Sequence, residues 1–146
     1  MAHPDWPIPK FHFSVDLGLG EDIGFQEVSG LKLSTEYIEY RAGNDETFVK
    51  QRVPGLKKYE NITLKKGMFH GQDDLYQWYQ EVQTDSERRH DIVISLLDEE
   101  HNPVFTWTIL KAFPISIAFP DMNAESNELA IESLELAHEG IEMEAN

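Results

Sequence analysis

Arg88-Arg-His-Asp-Ile-Val-Ile-Ser-Leu-Leu-Asp98 and Val104-Phe-Thr-Trp-Thr-Ile-Leu-Lys-Ala-Phe113 flank the polar stretch Asp98-Glu-Glu-His-Asn-Pro103. β-Branched and aromatic residues fill both runs, so the segment reads as two strands joined as a hairpin by a polar connection. The same signature returns on either side. Phe11, Phe13, Val15 and Leu17 alternate with Lys10, His12, Ser14 and Asp16, until the Gly-rich stretch Gly18–Gly24 breaks the strand. Leu31–Arg41 is a further strand candidate ending at Ala42-Gly43, and Tyr59–Lys66 sets Ile62 and Leu64 on one side. The last run, Leu129–His138, has Leu129 and Ile131 on one parity and Leu134 and Leu136 on the other. A bulge near Ser133 is expected, because one extra residue flips the side chains that follow.

One helix interrupts the strands. Gln72–Val82 carries Leu75, Trp78, Tyr79 and Val82 at i, i+3, i+4 and i+7, a single apolar stripe for packing. Asp73 or Asp74 is the expected cap at its start. The fold class is therefore mainly β: an antiparallel barrel or sandwich with one flanking helix.

The 146 residues suit a single domain spanning 1–146, and 40% hydrophobic with 11% aromatic residues can fill one core. With no cysteine, disulfide scaffolds, thiolate metal sites and cysteine nucleophiles are excluded. A formal charge of −15 argues against general attraction to nucleic acid or anionic lipid. No run approaches the roughly 18 apolar residues of a membrane helix. Met1–Lys10 has three prolines and neither the basic start nor the apolar centre of a secretory signal. The expectation is a soluble protein made and assembled in the cytoplasm, with no membrane insertion.

Charge is unevenly distributed. Arg41–Lys66 holds seven basic residues and three acids, whereas Asp121–Asn146 holds eight acids and no Lys or Arg. For an isolated monomer both stretches read first as solvated faces; the alternative is a basic belt on one copy meeting an acidic tail on the next. Between Gly43 and Lys58 no period holds and Pro54-Gly55 marks a turn, so this segment reads as a long loop. Phe48 and Val49 within it are apolar and call for burial against another copy.

Catalytic and ligand motifs are wanting. The histidines at 3, 12, 70, 90, 101 and 138 form no H-E-x-x-H pair, and His90-Asp91, Glu100-His101 and His138-Glu139 are merely adjacent. Asp98-Glu99-Glu100 lacks the spaced acids and glycine of a calcium loop. Ser29-Gly30 follows Glu27 rather than the glycine a nucleophile elbow requires. Gly18, Gly20 and Gly24 have the wrong spacing for a nucleotide loop, and strand formers follow them. Neither an enzyme nor a cofactor or metal is expected.

Six pieces occur in order: Phe25-Gln-Glu-Val-Ser-Gly-Leu31, Glu39-Tyr40-Arg41-Ala-Gly43, Pro54-Gly55, Ile62-Thr-Leu-Lys-Lys-Gly67, Leu75 with Trp78, and Ile131-Glu-Ser-Leu-Glu-Leu-Ala-His-Glu-Gly140. In this series the chain resembles the tail tube protein family of contractile phage tails and phage-tail-like injection systems. The resemblance runs from Phe11 to Gly140 and departs at Lys66, where arginine is expected.

The resemblance implies a structural subunit that forms hexameric rings, stacked into a hollow tube and driven through a target envelope when a surrounding sheath contracts. Its partners would be further copies of itself, a sheath protein, baseplate or spike proteins, a tube-terminating protein, and cargo protein or DNA in the bore. It further implies that the arm 1–10, the loop 43–58 and the acidic tail 139–146 bridge subunits and rings. Phe48, Val49, Lys50, Arg52, Lys57 and Lys58 are the contact candidates, and Leu75, Trp78, Tyr79 and Val82 pack the helix. Alternatives are a tube-initiating or baseplate hub ring, or a small acidic β-barrel that binds a ligand.

Overall fold

The computed structural model describes residues 12–19, 23–41, 43, 50–125 and 128–146. The elements are β1 (Phe13–Asp16), β2 (Glu27–Ser29), β3 (Leu33–Tyr40), β4 (Gln51–Tyr59), β5 (Ile62–Gly67), α1 (Asp74–Thr84), β6 (His90–Leu97), β7 (Pro103–Ala118), β8 (Ile131–Ala137) and β9 (Gly140–Ala145). All ladders are antiparallel.

Strand β7 organises the molecule. Its N-terminal part pairs with β6 on one side and β9 on the other, while Phe113–Ala118 pairs with β8. The change of partners coincides with Lys111 in the left-handed region at φ 49° and a register shift between Pro114 and Ser116. The Lys111 N–H, freed from the ladder there, donates to Asp91 Oδ1 at 3.0 Å. Bulges of this kind let one strand turn from one sheet into the next.

One sheet is thus β1-β6-β7-β9 and the other β7-β8-β5-β2. Ile92, Ile94 and Ile109 from the first meet Ile62, Leu64, Leu134 and Leu136 from the second in one core. The sandwich form of the expectation holds. Among the described residues no ladder joins β1 to β2, so the sheet does not close into a barrel.

Helix α1 packs along β7 and closes the core with Leu75 and Trp78, each 1% exposed. The Trp78 indole N–H donates to the Arg88 carbonyl at 3.1 Å, which satisfies its one polar atom. Val82 packs against the core and Tyr79 is half-buried. Asp73 occupies the N-cap position but makes no side-chain cap: with φ −131° and ψ 25° its carboxylate instead accepts from Gln77 Nε2.

Three expectations are corrected. Gln51–Lys58, read as part of the loop 43–58, belongs to strand β4, and Pro54-Gly55 marks an irregularity within it rather than a turn. The register shifts between Thr35 and Tyr37, and a Cβ on Gly55 would stand 3.0 Å from the Glu36 carbonyl. Proline and glycine are tolerated in strands at such bulges. The acidic tail is largely strand β9, because Ile141, Met143 and Ala145 alternate with Glu142 and Glu144 and pair with β7. Strand β8 has no bulge at Ser133: its register with β5 runs unbroken from Ile131 to Leu136. Its inward parity is Glu132, Leu134 and Leu136, so the parity switch reflects a buried acid rather than an extra residue.

Candidate functional site

Strands β3 and β4 form a two-stranded sheet of their own. Every residue of β3 is exposed, and in β4 only Gly55 and Tyr59 are partly covered. The exposed side chains include Leu33, Tyr37, Ile38, Tyr40, Val53 and Leu56, the last 76% exposed. A two-stranded ribbon with no packed face is marginally stable alone in water. Apolar surface held out in this way marks an interaction site.

The root of this hairpin is built closely. Gly30 adopts φ +94°, where a Cβ would fall 2.1 Å from the Asn61 carbonyl oxygen, so the residue must be glycine. Lys32 pairs with Glu60 at 3.3 Å across the junction. The His138 ring sits against Tyr59, with centroids 5.6 Å apart, and its Nε2–H donates to the Glu60 carbonyl at 2.8 Å. The hairpin is therefore fixed where it leaves the body and unsupported beyond.

The contact candidates fall largely on this element. Lys50 precedes β4, and Arg52, Lys57 and Lys58 lie within it; Phe48 and Val49 lie outside the described residues. Much of the basic charge is already matched within the hairpin. Glu39 pairs with Lys50 at 3.4 Å and Arg52 at 3.7 Å, and Glu36 pairs with Lys58. Arg52 also lies 4.7 Å from the centre of the Tyr37 ring. Among the described residues Lys57 makes no ion pair and stands exposed. Sequence reasoning missed Tyr37, Ile38, Tyr40, Val53 and Leu56, because a strand pattern with apolar residues predicts burial and not what covers them.

Elsewhere the described residues offer little for chemistry. No three of His, Asp and Glu gather as metal ligands among them. The rings of His12 and His101 meet edge-on at 5.2 Å. A shallow depression on α1 is lined by Gln77, Gln80, Glu81 and Thr84, all polar and on the solvent side. None of the described helices is long and apolar enough to cross a membrane.

Residues 9–142 match the model of the T4-like virus tail tube protein gp19 family. The chain belongs to this family. Its pieces quoted above for the resemblance fall on β2 and its turn, the hairpin, β5, α1 and β8. No curated protein sequence matches the chain.

Solved structures agree with this tail tube assignment. In the extended sheath-tube complex of the extracellular contractile injection system PVC, one chain shares 35% identity and a TM-score of 0.88, covering 98% of this chain and 95% of that one. A chain of the anti-feeding prophage cap, described as the AFP tube terminating cap, shares 33% identity and a TM-score of 0.89 over 100% and 96%. A chain of the six-fold symmetrised AFP baseplate shares 27% identity and a TM-score of 0.82 over 99% and 98%. The protein is a structural tail tube component, of the kind found in phage tail-like injection particles.

Proposed function

We propose that this tail tube protein forms hexameric rings that stack into the inner tube of a contractile injection particle. The tube is a rigid, hollow conduit for cargo protein or DNA, and contraction of a surrounding sheath drives it through the target envelope. The role is mechanical, not catalytic, and assembly takes place in the cytoplasm. The observation that carries this reading is the detached β3–β4 hairpin, whose exposed apolar side chains require a neighbouring copy to cover them. Full-length similarity to a chain in a sheath-tube complex supports the same reading.

A net charge of −15 supports a bore of negative potential, which lowers adhesion of a polyanionic cargo in transit. Negative-stain microscopy of the purified chain tests the proposal: rings with a central hole, stacked into tubes, are expected. A compact monomer that persists at high concentration would overturn it.

A second reading is a ring at one end of the tube, as initiator or terminator. Similarity to chains of a tube-terminating cap and of a baseplate favours keeping it. Growth of the purified chain beyond one ring layer selects the main tube, and arrest at a single ring selects the end component.

A further inference from the structure

We infer that an aromatic ledge at one end of the first sheet is the docking surface for the proline-rich segment 4–11 of the same chain. This goes beyond the tube reading and departs from the bridging role that the resemblance implies for residues 1–10.

Strand register builds the ledge. Residues opposed in a ladder share a face, so three rungs run across the first sheet. Ile92, Ile109 and Ile141 make the first rung and lie within the core. Val15, Ile94, Trp107 and Met143 make the second, where Val15 and Trp107 pack against the core but Met143 is 59% exposed. Phe13, Leu96, Phe105 and Ala145 make the third, beside the β6–β7 turn. None of these four belongs to the core cluster; the first three are half-buried and Ala145 is exposed. The rings of Phe105 and Trp107 stack at 6.2 Å between centroids. The adjacent rung, Ser14, Ser95, Thr106 and Glu144, points to the other face and is polar. Apolar residues thus stay on the inner face of the sheet past the point where the core ends, and such a face calls for a cover.

Chain path and composition identify the occupant. Residues 1–11 lie outside the described residues, and the chain enters the sheet at the ledge itself. The His12 carbonyl accepts from the Leu97 N–H at 2.8 Å, and Phe13 already stands on the third rung. Immediately before it in sequence come Pro4, Trp6, Pro7, Ile8, Pro9 and Phe11, with Asp5 and Lys10 the only charged residues of 4–11. Prolines carry no N–H, so this segment can cover apolar surface without stranding those donors. Polyproline II is its favoured extended form, and that form docks on aromatic-lined surfaces.

Length and tethering agree. The four strands of the ledge span about 14 Å from β1 to β9 at the usual strand spacing. Six residues, 4–9, rise about 19 Å as polyproline II. Attachment at Phe13 makes docking intramolecular, with a millimolar effective concentration that favours the same copy over another.

Because the chain has no cysteine, introduced thiols report the docking directly. Full-length Ile8→Cys/Met143→Cys, kept below the concentration at which it assembles, should close an intrachain link under mild oxidation or a flexible bis-maleimide. The product is a faster-migrating monomer, formed at a rate independent of protein concentration. Ile8→Cys/Glu142→Cys sets the second thiol on the opposite face and should link severalfold more slowly. Covalent dimers as the main product would put another copy's segment on the ledge and overturn the inference. Equal rates for the two pairs, or no link under either reagent, would overturn it as well. Independently, Trp6→Ser/Ile8→Ser should leave far-ultraviolet dichroism unchanged and raise the fluorescence of an added apolar dye severalfold. Unchanged dye fluorescence would show that the segment covers nothing. Tube formation is scored separately, so the tube reading survives any of these failures.

Discussion

Lys66 Nζ lies 2.8 Å from Glu132 Oε1, with the two side chains only 1% and 4% exposed. The residues are directly opposed across β5 and β8, on the inward parity that also carries Ile62, Leu64, Leu134 and Leu136. Lys66 donates further to the Gly67 carbonyl at 3.2 Å. A one-residue slip would turn both charges onto opposite faces, so the pair favours a single register.

Breaking this pair should cost more than removing it. Lys66→Met alone or Glu132→Leu alone leaves a buried charge without its partner, at about 3–5 kcal/mol. The double change Lys66→Met/Glu132→Leu should recover most of that loss, as read by chemical denaturation. Single variants within about 1 kcal/mol of the parent would show that water reaches the pair.

Trp78 is the largest fully buried side chain and joins α1 to the core. Trp78→Ala should lower stability by about 3–5 kcal/mol through the cavity and lost contacts. Trp78→Phe keeps much of the packing but leaves the Arg88 carbonyl without its donor, and should lose less. Equal losses in equilibrium unfolding would contradict this account of the helix.

Gly30→Ala places a methyl group against the Asn61 carbonyl in a positive-φ conformation. A strain of roughly 1–3 kcal/mol is expected, concentrated at the hairpin root. Limited proteolysis should then cut the β3–β4 hairpin faster while the core stays protected. Unchanged cleavage would mean that the root does not set the hairpin's position.

Lys57→Glu should change unfolding stability by less than about 0.5 kcal/mol, since the side chain is exposed and makes no ion pair among the described residues. Tube length in electron micrographs should nevertheless fall at low salt. The defect should fade near 1 M salt, where the screening length shrinks to about 3 Å. Lys58→Glu differs, because it also places two acids together at Glu36 inside the hairpin. Tubes of normal length from Lys57→Glu at low salt would remove this residue from the subunit contacts.

Strand content and the one helix were legible because alternation and the 3.6-residue stripe are local properties of the chain. Leu75 and Trp78 announced their burial by spacing alone. The hairpin was half-legible: Leu31–Arg41 read as a strand, but Pro54-Gly55 concealed its partner β4 as a turn. Glu132 concealed the true parity of β8, since an acid between apolar residues normally faces water. Its burial depends on Lys66, 66 residues away in sequence.

The amino-acid order by itself determined a β-rich, acidic, cysteine-free domain with one packed helix, and the ordered pieces sufficed to recognise its family. Only the tertiary structure decided that the basic segment is a ribbon standing off the body, with most of its cations already matched by Glu36 and Glu39. Periodicity records which residues share a face; which distant segment covers that face, or leaves it bare, is fixed by how the chain returns upon itself.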